Sequence, residues 1–372
     1  MFLMVWGIIW RLTAIGLAIY ATWRVRFILV LVLLSVILTF VVDPLVERAC
    51  RLRPRWIPRS TWRSTATLTV FVTLILLGII TSLWLWHPFQ SQIIDLQHSI
   101  GGYQQVLQTR AKVLQGWYMR LPVQMRDALA GEPIAGVTNY LFTFLRKVLA
   151  STVGWFSHIW ELILIPVLSF YFCLDSRSLK RELLMLIPYH RTRETLYILR
   201  RSSRIMQDYI VAQILLCFIS GLVVGIGLWL LHVPYPLVLG VLAGITRAVP
   251  IVGPVVGAIP ITLLAMTVSV KMGLSVLVFF SFMHLFESKV LLPELIGHSV
   301  RLHPSIILIV LLVGSEFFGI LGMFLAAPVA AIGRVLLNLY VVEPEMRRRK
   351  GLAPSPYREL QDLSAKPVDR LP

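Results

Sequence analysis

From Ser64 to Trp86 the chain carries no charged residue, and further apolar stretches follow at 152–173 and 209–231 after an earlier one at 27–42. A helix needs roughly 20 apolar residues to cross the hydrocarbon core of a bilayer. Inside lipid every backbone N–H and C=O must be satisfied within the protein, which leaves helices and closed barrels as spanning structures. Unbroken apolar runs of this length read as transmembrane helices. The rest of the composition agrees. Of 372 residues, 57% are hydrophobic and only 14% charged, with a mean hydropathy of +0.79, whereas a soluble domain carries about a quarter charged residues. The expected fold is all-α: a polytopic membrane protein of about eight transmembrane helices. Its C-terminal half should contain Pro/Gly-broken or re-entrant segments, for reasons given below.

The formal net charge of +17 comes from 35 Lys and Arg against 18 Asp and Glu. These arginines lie between apolar runs, the pattern that orients a membrane protein, so a lipid bilayer is the expected partner and nucleic acid is not. Arg48, Arg51, Arg53, Arg55, Arg59 and Arg63 face only Asp43 and Glu47 in the stretch 43–63, where Asp43-Pro44 is expected to end the preceding helix. A second basic stretch, 174–207, and the cluster Arg347-Arg348-Arg349-Lys350 repeat the signal. Together they place both termini in the cytoplasm, with Arg24 and Arg26 at the outer tip of an N-terminal hairpin running against the trend. No cleavable signal is evident in the first apolar run, which Arg11 interrupts.

The organisation read from these features has five parts. Residues 1–86 form an N-terminal hairpin and a long span, and 87–150 an extracytoplasmic amphipathic helical segment broken at Pro122 and Gly131-Glu132-Pro133. Residues 151–235 hold spans joined by the basic segment 174–207, which Pro188 turns. A broken-helix core occupies 236–340, and 341–372 is a basic tail expected to be disordered. Cys50, Cys173 and Cys217 are too scattered for a disulfide framework or a metal site.

The densest feature is the run from Arg247 through Pro250, Gly253, Pro254 and Gly257 to Pro260. Each proline removes a backbone donor and clashes with the preceding turn, so a regular helix is not expected over 250–260. Broken backbone at membrane depth is tolerated where protein buries it or where it lines a wet cavity, and transporters use such breaks to aim helix ends at a solute. The plainer reading is a kinked span packed through its glycines. A second cluster runs from Pro304 to Pro328 and contains Gly314, Glu316, Gly319 and Gly322. Glu316 is costly in lipid unless paired or wet. Between the clusters, the polar stretch 284–303 holds Glu287, Pro293 and Gly297, and reads as a lining segment or as an ordinary loop.

Glu161 sits within the third long run, with His158 three residues earlier on the same helix face, as a candidate proton site. The pairs Gly221/Gly225, Gly240/Gly244 and Gly253/Gly257 have the small-xxx-small spacing that lets helices approach closely or oligomerise. No HExxH, GxSxG, P-loop or Rossmann fingerprint occurs, so neither an enzyme nor a cofactor is expected.

Three of these segments, in this order, are similar to motifs of the autoinducer-2 exporter family, the PerM-like permeases. They are Pro250-Ile251-Val252-Gly253-Pro254 through Pro260, Leu292-Pro293-Glu294-Leu295-Ile296-Gly297 on to Pro304, and Val313-Gly314 through Gly319, Gly322 and Ala326-Ala327-Pro328. Isoleucine stands at 251 where an aromatic is common, Ser315 replaces a usual glycine, and Glu161 matches no family pattern. The resemblance implies an eight-helix permease of the bacterial cytoplasmic membrane, exporting a small solute such as a quorum-sensing signal, with sodium or other monovalent cation/proton exchange as the alternative. A non-transporting membrane scaffold is the alternative of another class.

On this reading 250–260 and 314–322 face each other near mid-membrane and form the solute path. Arg247, Glu287 and Glu316 line or gate it, and the small-residue faces favour a homo-oligomer.

Overall fold

The computed structural model describes residues 13, 24, 26–52, 59–118, 143, 159–185, 192–296 and 302–342. Most of the first apolar run, the breaks at 122 and 131–133, His158, Pro188, Gly297 and everything beyond 342 lie outside the described residues. Among the described residues every regular element is a helix. Five helices are long and apolar enough to cross a membrane: Ile28–Arg51, Trp62–Arg110, Thr195–Leu230, Val270–Leu295 and Pro304–Val342. Three shorter apolar helices, Ile163–Leu174, Pro236–Thr246 and Val252–Val268, accompany them. The all-α, polytopic expectation holds.

The chain divides into two compact units. The first takes in Met1–Leu74 and His158–Tyr189. It contains α1 (Arg26–Arg51), the beginning of α2 (Arg59–Tyr118), α3 (Ile159–Leu174) and α4 (Ser176–Met185). Val42, Val46, Phe71 and Cys173 form its buried core, with Phe170 set edge-on to Phe71 at a centroid distance of 5.6 Å. α1 does not stop at Asp43-Pro44 as expected but runs on to Arg51. One proline costs a single backbone hydrogen bond, and the burial of Val42 and Val46 on either side of it holds the helix together. Arg63, one of the six arginines read as an orientation signal, also has a structural task. Its guanidinium donates to the Cys173 carbonyl at 3.0 Å and to Ser176 Oγ at 2.7 Å, which satisfies a carbonyl that the end of α3 leaves open.

The second unit takes in Ile75–Ser157 and His190–Pro372. It contains the rest of α2, then α5 (Thr192–Leu230), α6 (Pro236–Thr246), α7 (Val252–Val268), α8 (Val270–Phe286), α9 (Leu292–Ile296) and α10 (Pro304–Leu337). α2 continues through Pro88 without a break. Beyond that proline its apolar stripe of Ile93, Leu96, Ile100 and Leu107 is buried against Leu228, Val238, Leu239, Ile261 and Leu264. α6 begins at Pro236 after Tyr235, which lies in the left-handed region and offers no side-chain cap. The cap comes from α2 instead: Gln92 Oε1 accepts from the Leu237 and Val238 N–H groups at 3.1 and 3.3 Å.

α5 and α6 pack through the glycines that the small-xxx-small spacing singled out. A Cβ at Gly240 would lie 2.8 Å from the Gly225 Cα and 2.9 Å from the Gly221 carbonyl oxygen, and one at Gly244 would lie 2.9 Å from the Cys217 carbonyl oxygen. These are backbone-to-backbone contacts, the kind that small residues permit. In α10 the helix breaks at Phe318 (φ −134°) and Gly319 (φ +58°, ψ −133°), a conformation that only glycine adopts freely. The two arms fold back so closely that a Cβ on Gly322 would collide with the Gly314 carbonyl. The stretches on either side of Phe318-Gly319 are therefore the two arms of one helical hairpin. Its first arm is shorter than the roughly 20 residues a crossing requires.

Candidate functional site

α6 has 11 residues, about 16 Å of helix and half the width of a hydrocarbon core. It ends where the proline-rich motif begins, and the chain reverses over 247–251 before α7 starts at Val252. The break is narrower than the sequence suggested. Val252–Pro260 is helical, with Pro254 in the first turn, where its missing N–H would have no helical partner anyway. The reversal centres on Ile251, whose φ of 66° and ψ of −55° form a γ-turn closed by the Val252 N–H donating to the Pro250 carbonyl at 2.7 Å. This conformation is strained for a β-branched residue, and such strain persists only where surrounding structure imposes it.

Gln213 supplies part of that constraint. It is buried within α5, and its Nε2 donates to the Arg247 carbonyl at 2.7 Å and more distantly to that of Ala248 at 3.5 Å. The open carbonyls of the reversal are thus met by a side chain from a neighbouring helix.

The Arg247 side chain reaches Glu287, just past the end of α8, with 2.9 Å between Nη1 and Oε2 and side-chain exposures of 7% and 4%. Glu287 opens a π-helical turn, Glu287–Leu291, a departure from α geometry that recurs at functional sites. The pair leaves valence unused. Arg247 Nε, Glu287 Oε1, the Thr262 hydroxyl and the Tyr209 hydroxyl are buried without a hydrogen-bond partner.

Beside the pair lies a cavity of about 470 Å³ between α5, α6, α7 and α8. Its walls are mostly apolar (Val224, Val255, Ile259, Leu263, Leu277 and Phe280 among them), and Glu287, Ser220, Thr246, Thr262, Ser281 and His284 supply the polar groups. An apolar chamber with a few convergent polar groups is the usual form of a small-molecule site.

Several residues singled out in the sequence meet here. Arg247 and Glu287 form the ion pair, and Pro254 and Gly257 line the cavity. Gly253 is buried against the end of α6, where a Cβ would strike the Thr246 carbonyl. Pro250 is half-buried in the reversal, and Pro260 is buried within α7. The second cluster lies elsewhere. Gly314 and Gly322 close the α10 hairpin on itself, Gly319 forms its bend, Pro328 is buried in the second arm, and Glu316, Pro293 and Pro304 are exposed. None of the cavity-lining residues comes from 304–328. α10 packs on α5, with Phe324 edge-on to Tyr209 at 6.1 Å. Glu161 lies in α3, but its side chain, like His158, is outside the described residues. Sequence reasoning missed Gln213, Ser220 and Thr262. For Gln213 a signal existed, an amide inside an otherwise apolar run.

A comparison with known proteins fits this architecture. The family model described as AI-2E family transporter matches residues 8–342. The chain belongs to that family. Among curated relatives, YrrI of Bacillus subtilis (strain 168) is 36% identical over 204 residues, 55% of this chain and 54% of YrrI. YueF of the same organism is 26% identical over 325 residues, 86% of each chain. A Synechocystis protein is 27% identical over 256 residues, 68% of this chain and 60% of its own. All three carry the words transport protein in their names. The chain spans about half the length of YrrI and most of YueF. As an AI-2E family member with several long apolar helices, it is a multi-pass membrane protein.

Proposed function

We propose that this AI-2E family member is a secondary permease of the autoinducer-2 exporter type, and that the cavity between α5 and α8 is part of its solute path. The observation that carries this reading is the chamber of about 470 Å³ set against a helix break and a buried ion pair. Irregular backbone and buried charge are both costly in a membrane and gather where solutes pass. The reading places the chain in the bacterial cytoplasmic membrane with both termini inside, as the arginine distribution favours.

Flux of a quorum-sensing furanone into or out of proteoliposomes tests it. Ala258→Trp, which fills the chamber, should lower the rate by about tenfold or more with the protein still folded. Undiminished flux in that variant sinks the assignment. A homo-oligomer belongs to the same reading, supported by the exposure of nearly the whole membrane stretch of α2. Native mass spectrometry from detergent gives its order, and a monomer as the active species rejects it.

The buried carboxylate of Glu287 favours a second reading, monovalent cation/proton exchange, over one built on the exposed Glu316. On that reading Glu287→Gln abolishes sodium-dependent proton movement in vesicles, whereas retention of the movement rejects it.

A further inference from the structure

The cavity wall carries one carboxylate and several hydroxyls, and the state of each group restricts what the chamber accepts. The Thr246 hydroxyl already donates to the Ala243 carbonyl at 3.1 Å, and that of Ser281 to the Leu277 carbonyl at 2.9 Å. Their oxygens therefore face a ligand as acceptors. Ser220 faces the Glu287 carboxylate, itself an acceptor. Glu287 Oε1 is unpartnered, and so is the Thr262 hydroxyl, the one cavity alcohol that still has both capacities open. His284, at the exposed rim, adds one donor and one acceptor when neutral. The wall is thus rich in acceptors and poor in donors.

Such a wall would ordinarily select cations. The second observation opposes that: the one carboxylate in the lining is held at 2.9 Å by Arg247, which is not itself among the lining residues. The acceptors face the chamber, while the charge behind them is cancelled from the far side.

We propose that Arg247 sets the charge selectivity of this cavity, so that it accepts a small uncharged solute bringing several hydroxyl or N–H donors and rejects both anions and cations. The proposal rests on the cavity being the solute site. An anion meets unpaired lone pairs with no free cation to offset them. A cation gains little, because the ion pair already spends the carboxylate's field on Arg247. An uncharged donor satisfies Glu287 Oε1 and the Thr262 hydroxyl together, the two unpartnered buried groups that belong to cavity-lining residues. Removing the guanidinium while keeping Glu287 should turn the chamber into a cation site.

The test uses the full-length protein in nanodiscs with Ala258→Cys as a reporter on the cavity wall and Cys217 replaced by serine. Protection of that thiol from maleimide is measured with three matched solutes: erythritol, its protonated aminodeoxy analogue and erythritol phosphate. In the reporter protein erythritol should protect best. Adding Arg247→Met should raise protection by the amine relative to erythritol by about tenfold or more. Arg247→Lys, which keeps the charge, should retain the original order, and the neutral double variant Arg247→Met/Glu287→Gln should restore it even if the single variant folds poorly. If erythritol protects but the order of the three solutes does not change across these variants, the charge-selectivity role of Arg247 is wrong and the cavity assignment stands. If no solute protects while flux continues, the cavity is not the path and both readings fall.

Discussion

At the level of single residues, the ion pair divides what a sequence discloses from what it withholds. Arg247 and Glu287 are conspicuous as charges among apolar runs, yet they lie 40 positions apart by number, and nothing in composition or periodicity says that they meet. The meeting depends on α7 and α8 running out and back, so that the position after α8 returns to the level of the reversal. Gln213 shows the opposite limit. Its amide is visible inside an apolar run, but its partners are backbone carbonyls, which every residue has and no sequence distinguishes. Replacing Gln213 with leucine should orphan at least the Arg247 carbonyl and cost about 1–3 kcal/mol. The check is a thermal-shift measurement in detergent, with Gln213→Glu, which brings no donor when ionised, expected to be no better. A midpoint equal to that of the unmodified protein would show that the carbonyls find other donors.

Helix ends and bends were legible where glycine and proline had only one geometric use. The spacing of Gly221, Gly225, Gly240 and Gly244 announced a close helix contact, and the structure presses those four positions together. Proline was the less dependable sign. Asp43-Pro44 was expected to end a helix, but burial on both sides of Pro44 outweighs the one lost hydrogen bond, and the next helix likewise runs on through Pro88. Pro44→Ala should therefore stabilise the first unit, by about 1 kcal/mol or more, and raise its melting temperature. A lower melting temperature would mean that the ring is needed for packing. In α10 the expectation is reversed. Gly319→Ala forces an L side chain into the positive-φ bend and should cost about 1–3 kcal/mol. Gly322→Ala should cost at least as much, because its Cβ has nowhere to go but into backbone. Size-exclusion profiles after graded heating distinguish these two from Gly333→Ala, where a Cβ meets nothing within 4 Å.

For the whole molecule, hydropathy settled the class, because long apolar runs with so few charges suit helices that face lipid or one another. The broken core of the C-terminal half was foreseen in kind, though its two clusters do not face each other across one chamber as the sequence suggested. Separate proline–glycine segments look alike in sequence whether they adjoin or not.

The buried ion pair also bears on how the chain enters the bilayer. Arg247 follows the short helix α6, while Glu287 follows α8, which is made later. Until α8 has been delivered, the guanidinium has no counter-charge and its segment is poorly suited to rest in lipid. Insertion of α6 to α8 should then be cooperative, the three segments leaving the translocation machinery together once the last has arrived. A nascent chain arrested before position 287 should keep 236–268 extractable by alkaline carbonate, and one arrested well after it should not. Arg247→Leu should remove the difference, since an apolar segment has no partner to wait for.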